Sequence, residues 1–137
     1  MKISTLKEKV AQDEEGYPLV IEGKDGEPYL AADGTPATMT IVGLESKRVR
    51  DAGDKLQRRA LRRQVTKLTP EMLREERIEK AAAAVIAWHG WEGDDGTEAT
   101  CTPENVAALL GAAEHVLEQV EAGVRRHSSF FATPSAI

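Results

Sequence analysis

The chain has 137 residues, which suffices for one domain with a core that needs no disulfide or metal ion. Aromatic residues make up only 4%, which argues against a large β-sandwich. The longest nearly continuous apolar stretch, residues 81–88, is far shorter than the ~20 residues that cross a bilayer. The single cysteine, Cys101, excludes an internal disulfide. We therefore expect a soluble cytoplasmic protein with no cofactor and no membrane association.

The net charge of −5 is unevenly distributed along the chain. Residues 1–46 carry 4 basic and 9 acidic side chains, residues 47–67 carry 9 basic and 2 acidic ones, and residues 68–137 carry 5 basic and 12 acidic ones. Half of all lysine and arginine residues therefore fall within one short segment. This asymmetry is the first sign of organisation in the chain.

The N-terminal residues 1–15 are polar and dense in charge, a composition that buries too little surface to offset the entropy of ordering. We expect a flexible arm here, with a helix that orders on contact as the alternative.

Residues 16–44 carry the signals of a small β element. Residues 17–22 and 38–42 are rich in β-branched side chains, and residues 29–31 form a short stretch between two Asp-Gly pairs that suit tight hairpin turns. We predict a three-stranded antiparallel meander in which residues 29–31 are the middle strand.

A basic amphipathic helix is predicted from about residue 45 to residue 68. Its apolar residues recur at three- and four-residue steps. They are Val49, Ala52, Leu56, Ala60, Leu61, Val65 and Leu68. The remaining faces carry the lysine and arginine residues of this segment.

The rest of the chain is predicted to be helical. Thr69-Pro70-Glu71 and Thr102-Pro103-Glu104 each combine a hydroxyl N-cap, a proline at the first helical position and an acid in the first turn. The first helix is expected to run to about His89, before Gly90. The second runs to about Arg126, either unbroken or divided near Gly111. Apart from this repeated helix opener, we find no internal repeat.

Together these signals predict an α+β fold: a small N-terminal antiparallel β meander followed by a mainly α-helical domain of three to four helices. The predicted organisation is a flexible arm at 1–15, the β element at 16–44, the helical domain at 45–131 and a tail at 132–137.

The sequence offers little material for catalysis. No two histidines stand three or four residues apart, so no helix presents a metal-binding pair, and no glycine-rich loop stands in surroundings that would hold a phosphate. Cys101 precedes a helix start, which could lower the pKa of its thiol, but packing is the simpler interpretation. We expect neither an enzyme nor a metal site.

Two groups of residues are candidates for binding a partner. The first lies on the basic helix: Leu56, Arg58, Arg59, Arg62 and Arg63. The helix could dock on acidic segments of the same or another chain, grip a nucleic-acid backbone, or simply face solvent; the acidic flanks and the absence of aromatic residues among the arginines make nucleic acid unlikely as a partner.

The second group contains every tryptophan and phenylalanine of the chain: Trp88, Trp91, Phe130 and Phe131. These rings either close the helical core together or insert into a partner's groove.

The order of several short motifs resembles the tail assembly chaperones of long-tailed bacteriophages. The motifs are Ile41-Val-Gly-Leu-Glu-Ser46, the arginine-rich helix, Trp88-His-Gly-Trp91, Cys101-Thr-Pro-Glu-Asn-Val106 with Leu109-Leu110, Glu118-Gln-Val-Glu121 and Ser129-Phe-Phe131. The resemblance covers residues 37–131. The acidic loop at 92–98 departs from the family pattern, because that stretch is shorter and less polar in the family.

This resemblance implies a role without catalysis, in which the protein binds the tape measure protein, keeps its apolar helices soluble and recruits tail tube subunits in the host cell cytoplasm. It implies that Trp88–Trp91 and Thr102–Val106 mark the helical core. We also expect a homo-oligomer. The alternatives are a structural virion protein, such as a connector or minor tail component, and a small nucleic-acid-binding module that uses residues 47–67.

Overall fold

The structure is a computed structural model that describes residues 1–63 and 68–132, with the side chains of residue 63 and of residues 127–132 left out. The described residues form five helices and three strands. They are α1 (Ile3–Glu14), β1 (Tyr17–Val20), β2 (Thr38–Ile41), α2 (Lys47–Arg63), α3 (Pro70–Ala84), β3 (Val85–His89), α4 (Pro103–Ala112) and α5 (Glu114–Ala132). The predicted α+β class is confirmed.

The three strands form one antiparallel sheet in the order β1-β2-β3. Its central strand is β2, and its third strand comes from the segment for which the sequence predicts only helices. The prediction that the helix begun at Thr69 continues to His89 is wrong, because α3 ends at Ala84 and the chain continues directly as β3. The sheet therefore joins the two segments that meet at the predicted boundary at residue 44.

The predicted middle strand at residues 29–31 is also wrong. These residues lie in an excursion between β1 and β2, where Tyr29 donates its amide to Ile21 O and accepts from the Ala37 amide at its carbonyl oxygen. The Ile21 amide in turn donates to Ala37 O. The end of β1 and the start of β2 are therefore paired directly, with no strand between them.

One face of the sheet packs on α5. Met39 and Ile41 are fully buried on this face, and Gly123 of α5 approaches so closely that a Cβ there would lie 2.8 Å from Ile41 Cδ1. The hydroxyl of Tyr17 donates to Gly123 O at 2.8 Å. The predicted apolar stripe of the second helical unit completes this core with Val106, Leu110, Val116, Leu117, Val120 and Val124.

Both predicted helix starts are confirmed. Thr69 Oγ1 accepts the amide of Met72, and Thr102 Oγ1 accepts the amide of Asn105, both at 3.1 Å. The second unit is divided into α4 and α5 at Ala113, whose extended backbone ends α4. Of the two alternatives left by the sequence, the structure has the short helix followed by a longer one.

The sequence predicts a flexible arm at residues 1–15, with a helix that orders on contact as the alternative. In the structure, residues 3–14 form the helix α1. Asp13 is only 2% exposed, its carbonyl oxygen accepts the Gly43 amide, and its carboxylate accepts the Glu45 amide. The C-terminal turn of α1 is thereby attached to the connection between β2 and α2. At the other end of the chain, residues 133–137 of the predicted tail lie outside the described residues.

Candidate interaction surfaces

The basic helix α2 packs along α3, and two residues of its predicted apolar stripe are buried. Val49 and Leu56 are 3% and 9% exposed, so Leu56 stabilises the fold and is not an open contact point. Leu61 is different, because 71% of it is exposed. Val65 of the predicted stripe lies outside the described residues.

The arginines of α2 divide into inward and outward ones. Arg59 makes two hydrogen bonds with the Glu79 carboxylate on α3, both at 3.0 Å. The hydrogen bonds from the Arg59 side chain are the main cause of the lowered pKa of Glu79. The same bonds raise the pKa of Arg59. Arg58 and Arg62 are exposed. Arg63 belongs to α2, but its side chain is outside the described part.

The exposed end of α2 forms a shallow depression of about 500 Å³ lined by Lys55, Arg58, Leu61 and Arg62. We call Arg58, Leu61 and Arg62 the α2 tip. It combines an exposed leucine with two exposed cations, the composition of a site that suits an apolar segment flanked by acids.

A second, more apolar groove of about 500 Å³ lies where α2, α3 and α4 meet. Its lining is small and apolar, and charged residues of α2 and α3 stand at its sides. The apolar residues are Ala52, Ile78, Ala82, Ala83, Pro103 and Ala107, and the charged ones are Arg48, Lys55, Glu75 and Glu79. We call this site the alanine groove. Small side chains allow another helix to approach the backbone closely.

Three eight-residue segments, 22–29, 30–37 and 92–99, form hairpins of the same kind, which we call the Asp-Gly hairpins. Each has a glycine with φ near +80° after an aspartate: Gly26, Gly34 and Gly96. In each, the aspartate Oδ1 accepts the amide two residues further on, and a pair of backbone hydrogen bonds closes the turn. This is a three-residue hairpin turn with a glycine bulge.

All three hairpins emerge from one end of the sheet, after β1, before β2 and after β3. They are held together by side chains: His89 Nε2 lies 2.8 Å from Thr35 Oγ1, and its ring lies 3.6 Å from the Glu98 carboxylate. The ring of Tyr29 packs edge-on against that of Trp91, with centroids 6.1 Å apart.

The two tryptophans are half-buried and hold the hairpin end onto the core. Trp88 donates its indole N–H to Ala99 O at 2.8 Å, and Trp91 donates to Thr38 O at 3.0 Å. Their rings pack against each other with centroids 6.4 Å apart. Of the aromatic candidates, these two therefore belong to the fold. Phe130 and Phe131 lie in α5, and their side chains are outside the described part.

Cys101 and the metal-ligating side chains are the remaining candidates. Burial raises the pKa of the Cys101 thiol, against a smaller opposing effect of Arg48. No group of three histidine, cysteine or acidic side chains is placed to hold a metal ion within the described ranges. In the same part of the chain, no helix is long and apolar enough to span a membrane.

Comparison with known proteins gives no relative for this chain: no family model, no curated protein and no solved structure matches it.

Sequence reasoning missed the Asp-Gly hairpins as a repeat. The prediction that the chain has no internal repeat beyond the helix opener is wrong. Turns of the same kind recur at Asp25-Gly26, Asp33-Gly34 and Asp95-Gly96. The signal was available: the first two hairpins follow each other at a period of eight residues, and the third has the same Asp-Gly with a threonine after it, as in the second.

Proposed function

We propose that the protein is a non-enzymatic tail assembly chaperone of a long-tailed bacteriophage. In this role it binds apolar helical segments of the tape measure protein, keeps them soluble and helps to recruit tail tube subunits. The ordered motifs from Ile41 to Phe131 support the family, and the alanine groove is the single structural feature that carries the binding role.

The alanine groove suits one face of an amphipathic helix. Its floor is made of alanines at 52, 82, 83 and 107, which leave room for the larger leucine or phenylalanine side chains of a client. Arg48 and Lys55 of α2 and Glu75 of α3 also line the groove, so a helix with charges beside its apolar face can pair with them. Such a site stabilises a bound helix through burial of apolar surface, while the charges set its orientation.

Co-expression tests this proposal. The chain is produced together with a tape measure protein, the client that the proposal names, and the soluble fraction of that client is measured with and without the chain. We expect the client to be mostly insoluble alone and to co-purify with the chain when both are present. A client that aggregates equally in both cases contradicts the proposal.

The alternative of nucleic-acid binding has its own test. A labelled random DNA duplex is titrated with the chain at low salt, where phosphate contacts are strongest. We expect no saturable binding, because the acidic surfaces of the chain oppose its approach. Tight binding with a steep salt dependence would favour the nucleic-acid alternative.

A further inference from the structure

Among the described residues, the α2 tip is exposed. Leu61 is 71% exposed, and Arg58 and Arg62 are exposed as well. No ion pair between described residues involves either arginine, whereas the neighbouring Arg59 is held by Glu79. An exposed leucine flanked by two cations that form no ion pair with the described residues suits a partner that is both apolar and acidic.

Three acids of the helical segment are committed within the chain. Glu79 pairs with Arg59, Glu114 pairs with Arg74 and Arg77, and Glu121 pairs with Arg77 at 2.6 Å. These carboxylates already neutralise arginines of their own subunit, so they are poor partners for the cations of the α2 tip.

The Asp-Gly hairpins form an acidic surface at one end of the sheet. They contain eight acidic residues and one lysine. Among the described residues, no lysine or arginine forms an ion pair with these carboxylates, and the His89 ring lies 3.8 Å from Asp33 and 3.6 Å from Glu98. The same surface has apolar side chains in the open, since Leu30 is 63% and Tyr29 38% exposed.

We propose that the α2 tip of one copy docks on the Asp-Gly hairpins of a second copy. The two surfaces match in charge, and each offers an exposed leucine to the other. In the structure α2 packs on α3, and no ion pair between described residues joins α2 to the hairpins.

Contact between two different surfaces of the same chain is heterologous, so each bound copy presents both surfaces again. Association therefore continues into a ring if the rotation between copies closes, and into a filament if it does not. The inference concerns self-association and does not rest on the alanine groove or on the proposed client.

The direct measurement is sedimentation velocity over a range of protein concentrations at low and high salt. We expect the wild-type mass to rise with concentration and to fall as salt is added, because the matching charges are exposed and screened. The tip reversal R58E/R62E and the hairpin reversal E22K/E27K/E92K/D94K should each weaken self-association at least tenfold. The hairpin positions avoid the aspartates that hold the turns.

Mixing the two reversed variants gives the decisive result. The reversed tip is acidic, and the reversed hairpins hold five lysines and four acidic residues, so each variant can bind the other at both surfaces. A 1:1 mixture should regain association, although neither variant associates alone. The double reversal K47E/R50E at the other end of α2 is the matched control and should associate like the wild type.

The outcomes that overturn the proposal are distinct. A wild-type chain that stays monomeric at every concentration contradicts it, as does an oligomer that both reversals leave intact. If tip reversal dissociates the oligomer but mixing does not restore it, the tip binds something other than the hairpins. The reversed chains could lose association because they fail to fold. The neutral variant R58Q/R62Q controls for this, because it should also weaken association but introduces no new charge.

Discussion

Arg58 and Arg59 are neighbours in the sequence, but the helix places them in different surroundings. Arg59 faces α3 and holds the Glu79 carboxylate with two hydrogen bonds, whereas Arg58 is exposed. Docking on an acidic segment was one of three alternatives that the sequence left for this helix. The sequence could not show which of its arginines would contact carboxylates and which would be exposed. That division depends on the rotation of α2 about its axis, which the burial of Val49 and Leu56 determines.

The Arg59–Glu79 pair predicts a pH dependence of stability. Because Arg59 lowers the pKa of Glu79 from its ordinary value of 4.5, the contribution of the pair is complete above that value and is lost as pH falls through the lowered pKa. The free energy of unfolding of Glu79→Gln should therefore differ from that of the wild type at about pH 6 and converge with it towards about pH 3. Urea unfolding at several pH values measures this, and a difference that does not change with pH contradicts it.

The glycines of the Asp-Gly hairpins predict a second residue-scale effect. Gly96 has φ +79°, and a Cβ there would meet nothing within 4 Å, so Gly96→Ala adds only backbone strain. We expect it to lower the free energy of unfolding by about 1 kcal/mol. Gly53 in α2 also has open space around it but no positive φ, so Gly53→Ala should raise stability by about 0.5–1 kcal/mol. Thermal unfolding compares the two, and effects of the same sign would contradict the assigned turn.

At the scale of elements, local signals predicted the helix starts well. They did not predict the change from α3 to β3. The threonine caps at 69 and 102 act through side-chain bonds to nearby amides, so their effect is readable from a few residues. Ile78, Ala81, Val85 and Trp88 have helical spacing, which made β3 look like a continuation of α3. Pairing with β2, distant in sequence, decides the outcome instead.

The attachment of α1 is the element-scale feature that the sequence could not supply, because it depends on one buried carboxylate. Asp13→Ala removes the acceptor of the Glu45 amide and should lower the free energy of unfolding by about 1–3 kcal/mol. Glu8→Ala on the exposed part of α1 is the control and should change it by less than about 0.5 kcal/mol. Equal effects of the two variants in urea unfolding would instead support the flexible arm that the sequence predicts.

At the scale of the whole molecule, the sheet ties the N-terminal β element to the helices. The predicted units at 16–44 and 45–131 each supply strands to the same sheet, and α5 covers its buried face. Three surface features result from this arrangement: the alanine groove between helices, the α2 tip and the Asp-Gly hairpins. The sequence pointed to the basic helix as a binding element, but its composition alone could not indicate the groove, which requires α2, α3 and α4 to meet.

The central claim is that the alanine groove binds a helical client, and filling the groove tests it most directly. Ala107→Trp places a large ring in the groove, whereas Ala108→Trp places the same ring on the exposed side of α4. The measurement is the amount of soluble client recovered on co-expression with each variant, after thermal unfolding has shown that both are folded. We predict that Ala107→Trp loses most of the soluble client and that Ala108→Trp retains it. Equal recovery with the two folded variants would contradict the claim.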